Sequence, residues 1–241
     1  MRLHRFYINQ KIGEAGLPAQ AGEITLTDSE LIHQLINVFR FKAGDKVILF
    51  DGSGFEYEAE ITTISKKEIS FKILSHSAKA PRDEKTRKVS LYLALIKKGN
   101  FELAVEKCTE IGVTEIHPII SERSEKKDLN LERLHKIVKE ASEQSGRVTL
   151  PEVFEITDLE KSVSQAIAEG KVCVVFHTDV NQTQTPITSN NIAIFIGPEG
   201  GWTEKEMELF KKNNFQIHSL GQNVLRAETA AMVAVWKILN N

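Results

Sequence analysis

Cysteine is scarce in this 241-residue chain. Cys108 and Cys173 stand far apart and no CxxC occurs, which excludes a disulfide framework or a zinc ribbon. A reducing cytoplasm is the expected setting. Long apolar runs are missing too. Ile192 to Ile196 is typical, far short of the ~20 residues that a membrane helix needs. The start, Met1-Arg2-Leu3-His4-Arg5, lacks the apolar stretch of a secretory signal. An excess of either charge is also lacking: 31 Lys and Arg face 33 Asp and Glu, a net −2. Taken whole, that offers no broad field to a polyanion. There is no GxxxxGK[ST], no HExxH and no GxSxG, and the seven histidines are scattered. A P-loop, a metal centre and a hydrolase elbow are therefore not expected. Gly52-Ser-Gly54-Phe-Glu-Tyr57 lacks the third glycine of a dinucleotide fingerprint and sits between strands.

What remains is an ordinary soluble composition, 41% hydrophobic and 27% charged, long enough for one or two domains. Charge is unevenly placed. Residues 1–75 carry 9 basic and 10 acidic side chains, residues 76–150 carry 15 and 12, and residues 151–241 carry 7 and 11. An anionic partner would have to be met locally.

Residues 1–75 read as short strands around one helix. Phe55 to Ile61 and Glu68 to Leu74 alternate apolar and polar, Asp51-Gly52 signals a hairpin, and Thr27-x-x-Glu30 predicts a helix cap. This suggests a small β-barrel. His76 to Lys88 is polar, with Pro81, and reads as a linker. Residues 76–241 alternate strand and helix. Val172 to Phe176 and Ile192 to Ile196 are apolar throughout, as strands buried on both faces are. Caps are predicted at Asn130, at Thr157-x-x-Glu160 and at Thr203-x-x-Glu206. The expected class is α/β with a mainly parallel sheet.

Two segments could carry chemistry, both at the carboxyl ends of predicted strands, where open α/β sheets bind ligands. Ile196-Gly-Pro-Glu-Gly-Gly-Trp-Thr203 packs three glycines and a proline between a strand and a capped helix. It is either a tight turn or a place where backbone approaches a ligand. Ser219 to Ala231 places Arg226, Glu228 and Thr229 at a helix start. A glutamate suits that position and an arginine does not, so Arg226 either pairs with a carboxylate or serves a ligand. Gln144 and Arg147 end an earlier helix, and Arg147 is a cap or a phosphate contact. Arg5 and Arg40 read as barrel-edge or solvated residues, and Phe6 and Tyr7 as barrel core or a stacking platform.

These motifs resemble one family. Ile-Gly-Pro-Glu-Gly-Gly-Trp-Thr (196–203), Leu-Gly-x-x-Val-Leu-Arg-x-Glu-Thr-Ala (220–230), Glu-Ala-x-Glu-Gln-Ser-x-Arg-x-x-Leu-Pro (140–151), Lys-Cys-Thr-Glu-Ile-Gly-Val (107–113) and His4-Arg5-Phe6-Tyr7 occur in the order of the ribosomal RNA small subunit methyltransferase E family, within the SPOUT methyltransferases. The resemblance spans nearly the whole chain; Tyr7 stands where the family often has phenylalanine. It implies a PUA-like RNA-binding β-barrel over 1–75 and a SPOUT domain over 76–241, with a trefoil knot and the cofactor site at about 172–241. It implies S-adenosylmethionine (SAM), a homodimer, and N3-methylation of one uridine in 16S rRNA of the small ribosomal subunit. SAM would lie among Phe176 and His177, Ile196 to Gly201, Leu220 and Gly221, and Val224 to Arg226 with Thr229. Arg226 is the candidate to stabilise the uracil anion and Glu228 to orient Arg226, with general base as a lesser role. Arg5, Arg40, Gln144 and Arg147 would meet RNA. Other readings are a related enzyme acting on another rRNA or tRNA nucleotide, a ribosome-assembly factor without activity, and a nucleotide-phosphate enzyme.

Overall fold

The computed structural model describes residues 3–13, 22–78, 87–124, 129–178 and 186–240. Lys79 to Thr86, the centre of the expected linker, lies outside the described residues. The chain forms two compact units, one of residues up to Asp83 with Gly146–Thr149, the other of Glu84–Ser145 with Leu150–Asn241.

The first unit holds β1 (Arg5–Tyr7), β2 (Glu23–Leu26), α1 (Ser29–His33), β3 (Lys46–Phe50), β4 (Phe55–Ile64) and β5 (Ile69–Ala78). Its five strands run in the order β1-β3-β4-β5-β2, with β1 parallel to β3 and the other pairs antiparallel. The period-two pattern has its expected result: Tyr57, Ala59 and Ile61 on β4 meet Ile69, Phe71 and Ile73 on β5, and Leu31, Ile32 and Leu35 close the same core. The cap of α1 is Asp28 rather than Thr27. One carboxylate oxygen accepts from both the Glu30 and Leu31 N–H groups, at 2.9 and 3.0 Å. α1 runs on into a π-helical turn, Gln34–Val38. β5 continues past Leu74 to Ala78 because Phe55 to Glu58 still offer a ladder partner, with a register shift at Glu58/Ala59.

The second unit holds β6 (Lys88–Ala94), α2 (Lys98–Ile111), β7 (Glu115–Ile120), α3 (Leu131–Ser145), β8 (Glu152–Val153), β9 (Thr157–Asp158), α4 (Leu159–Ala168), β10 (Val172–Phe176), β11 (Asn191–Ile196), α5 (Glu204–Lys212), β12 (Gln216–His218) and α6 (Ala227–Asn240). All its strand pairs are parallel, in the order β12-β10-β11-β6-β7-β8, with β9 also on β7. The α2, α3 and α6 stripes cover one face and α4 and α5 the other. Asn130 caps α3 as expected, and Gly112, at φ 122°, ends α2. The α4 cap is Asp158, one residue beyond the expected Thr157, which is spent on β9. Thr203 and Glu206 form the expected capping box. Both thiols are free and buried, and burial pushes Cys173 up to about 11 and raises Cys108 as well, which leaves both unreactive.

Candidate active site

The carboxyl ends of β10, β11 and β12 lie together, since β10 pairs with both of the others. A cavity of about 320 Å³ opens beyond them, at the small end of the range for small-molecule sites. Of the residues expected to hold a cofactor, Phe176, His177, Ile196, Gly197, Pro198, Glu199, Gly201, Leu220, Gly221, Val224, Leu225 and Arg226 line it; Gly200 and Thr229 do not. Thr178, Trp202, Ser219, Asn223, Ala227 and Ala230 also line it. Of these, Trp202 belongs to the glycine-rich motif and Ser219, Asn223, Ala227 and Ala230 to the Ser219 to Ala231 segment, though none is among the expected cofactor contacts; Thr178 carried no signal.

The glycine-rich loop is built on the chain's own packing. Trp202 is buried, its Nε1 donates to the Phe176 carbonyl at 3.3 Å, and its ring meets Phe210 edge-on at 5.0 Å. A Cβ on Gly197 would lie 3.1 Å from that ring. A Cβ on Gly200 would lie 3.2 Å from Cδ of Arg123, whose Nη1 donates to the Gly200 carbonyl at 2.7 Å. Gly201, at φ 68°, closes a turn by donating to the Pro198 carbonyl. Glycine at 197 and 200 therefore admits an indole and an arginine stem, where a ligand was the expected neighbour.

Below the cavity, His177 N–H donates to the His218 carbonyl, and the Phe176 ring sits edge-on to the His218 ring. Burial holds the His218 imidazole below its ordinary pKa, with Lys237 adding to the effect. Beyond β12, Gly221 turns at φ 131° and Val224 is 81% exposed, an uncovered apolar wall. Glu199 is exposed, and its Oε1 accepts from the Lys97 N–H at a long 3.4 Å.

Arg226 lines the cavity from the start of α6, where its carbonyl accepts the first helical bond from Ala230 N–H at 2.8 Å. Its guanidinium thus stands where the helix dipole disfavours a cation. Among the described residues no ion pair holds it. Glu228 does not orient it. Glu228 is 6% exposed, its Oε2 has no hydrogen-bond partner, and it does not line the cavity. Residues two apart on a helix face different ways, which is why the expected pair does not form. Among the described residues no cluster could hold a metal ion.

The expected RNA contacts fall in varied places. Arg5 is turned inward: its side chain is 7% exposed, pairs with Glu56, donates to the Arg147 carbonyl at 3.0 Å and lies over the Phe50 ring. An external contact through Arg5 is not what this geometry offers. Arg147 is half-buried and its Nε donates to the Thr149 carbonyl. Gln144 is exposed near the end of α3. Arg40 is exposed and takes the left-handed φ of 58°. It stands between Phe39 and Phe41, whose rings stack at 5.6 Å, with His4 4.5 Å from Phe39. Sequence reading missed this aromatic group. Phe6 is core and Tyr7 half-buried against Phe50.

A family model described as an RNA methyltransferase domain matches residues 83–239, and one described as an RNA methyltransferase PUA domain matches 26–74. A Rickettsia conorii protein named Ribosomal RNA small subunit methyltransferase E is 33% identical over 99% of this chain and 96% of its own length. The chain belongs to the ribosomal RNA small subunit methyltransferase E family. A solved family structure from Neisseria gonorrhoeae, described as bound to S-adenosyl methionine, superposes with a TM-score of 0.84 at 28% identity, covering 98% of this chain and 97% of that one. A Legionella pneumophila structure described as a putative methyltransferase with SAM bound gives 0.82 at 28% identity, covering 99% and 97%.

Proposed function

We propose that this methyltransferase transfers the methyl group of SAM to N3 of one uridine in the decoding region of 16S rRNA. The observation that carries the reading is the cavity at the ends of β10, β11 and β12, in a chain whose solved relatives are described with SAM bound. The donor set fits that group. Ile196, Pro198, Leu220, Val224 and Leu225 give apolar walls for a flat heterocycle, with loop backbone groups between them. Glu199, which lines the cavity, would offer a carboxylate to a cationic sulfonium. Among the described residues no lysine lines the cavity, which disfavours a triphosphate.

When bound, SAM supplies an electrophilic methyl. The chain must supply the rest. Uridine N3 holds a proton at neutral pH, so attack needs that proton released to solvent water at the open rim and the anion on O2 and O4 stabilised until N3 takes the methyl. Arg226, which lines the cavity and has no ion pair among the described residues, would hold that anion by charge-assisted hydrogen bonds. The cavity loops would have to hold the uridine with N3 facing the methyl donor. Glu228, behind the wall, is given no step. In the first unit Arg40, which is exposed, would meet RNA, and in the second unit Gln144 would.

A homodimer is part of this reading. It is supported by Val224 and by Trp236, which is 58% exposed; light scattering would show two copies per particle. Calorimetry should show SAM binding that ATP does not displace. No SAM binding would support an inactive assembly factor, and displacement by ATP a phosphate-binding enzyme. With saturating SAM and small-subunit particles, Arg226→Ala should lower methyl transfer by about 10²-fold, the usual loss for one anion-stabilising donor. Wild-type transfer by that variant would remove Arg226 from the reaction.

A further inference from the structure

The turn that follows β7 holds the glycine-rich loop and the start of α5 through residues that do not line the cavity. Ser121 to Ser124 is a closed turn, with Ser124 N–H on the Ser121 carbonyl and Ser121 N–H on Ser124 Oγ, both at 3.1 Å. It is pinned to the start of α5 at two points. Glu122 N–H donates to Glu206 Oε1 at 2.8 Å, and Thr203 Oγ1 donates to Glu122 Oε2 at 3.1 Å. The turn thereby fixes the backbone that carries Arg123.

Arg123 is exposed, yet its stem lies across the bare Cα of Gly200 and its guanidinium reaches back to the Gly200 carbonyl. An exposed arginine ordinarily keeps its head in water. Gly200 needs an explanation of its own. Its φ is not among the left-handed ones, so backbone strain does not call for glycine. It does not line the cavity, so ligand approach does not call for it either. The one close neighbour a side chain would strike is Arg123.

We propose that Arg123 is a positioning residue for the cofactor loop. Seated on Gly200, it fixes the direction of that carbonyl. The adjoining peptide then holds the Pro198–Gly201 turn, and with it Glu199 and Gly201, against the cavity. The inference rests on the proposal that this cavity binds SAM.

The test is a double-mutant cycle on SAM affinity, read by calorimetry on the full chain. Arg123→Ala removes the clasp, and Gly200→Ala unseats it while leaving the arginine. Each should weaken SAM binding about tenfold, the scale of one hydrogen bond to a charged group. The double variant should be little weaker than either single one, because both break the same contact. Arg123→Lys, which keeps the stem and one donor, should recover part of the loss. In steady state, Arg123→Ala should raise KM for SAM more than it lowers kcat. Wild-type affinity in Arg123→Ala would overturn the inference, as would fully additive losses. A wild-type chain that binds no SAM would instead overturn the functional reading, and this inference with it.

Discussion

Side chains around the cavity do two kinds of work, and the residue scale separates them. Trp202 and Arg123 shape the loop, while Arg226 is held by nothing among the described residues. Gly197→Ala puts a methyl 3.1 Å from a rigid, buried indole. It should cost about 1–3 kcal/mol by overpacking, read as a lower urea midpoint, and should weaken SAM binding. Arg40 offers the opposite trade. Its left-handed backbone costs about 1–2 kcal/mol for a residue other than glycine. Arg40→Gly should therefore leave the chain as stable or more so while weakening RNA binding, as checked by thermal melts beside filter binding. At this scale the sequence was half legible. The glycine density at 197–201 and the odd placing of Arg226 pointed to segments that line the cavity. The neighbour that makes Gly197 necessary, Trp202, stands in the same motif, whereas Arg123, the neighbour of Gly200, comes from a turn 77 residues away, so no local pattern could show it. Arg5 misled for the same reason: its partner Glu56 is 51 residues away.

Caps tie elements together as well as ending helices. Thr203 caps α5 and also donates to Glu122, so the box is part of the clasp around the loop. Thr203→Ala should cost about 1–2 kcal/mol, more than a solvent-exposed cap, and Thr203→Ser should recover most of it in chemical denaturation. Predicted elements were sound where periodicity was long, as in the α3 stripe and the apolar β10 and β11. They were off by one residue at Asp28 and Asp158, where two neighbouring side chains can each cap and tertiary pairing chooses. The two-residue strands β8 and β9 have no periodicity to read. Nor does the column of rings formed by Phe154, His117, Tyr92 and Phe195, stacked at 4.0, 4.2 and 4.4 Å across β7, β6 and β11. Register creates that column, and register is a property of pairing.

The whole molecule places its charge by location, and the net −2 conceals this. At the amino ends of the strands, Lys171, with a side chain 4% exposed, meets Glu115 and Glu169, each at 2.6 Å. Hydrogen bonds from His117, Lys171 and Ser90 outweigh partial burial and hold Glu115 well below its ordinary 4.5. A carboxyl so depressed binds its proton more weakly folded than unfolded. Its stabilising effect is complete above 4.5 and fades as pH falls from there toward the depressed value. Urea midpoints should thus drop between about pH 5 and pH 3 in the wild type, and less steeply in Glu115→Gln. Strand–helix alternation revealed a parallel α/β unit, but strand order is set by crossovers that leave no sequence mark. The knot expected of 172–241 came from resemblance for the same reason. Mass-spectrometric mapping of 16S rRNA from a strain lacking this protein should show the decoding-region 3-methyluridine missing, and restored by the wild-type chain but not by Arg226→Ala. Persistence of that nucleoside in the deletion strain would show that another enzyme methylates that N3.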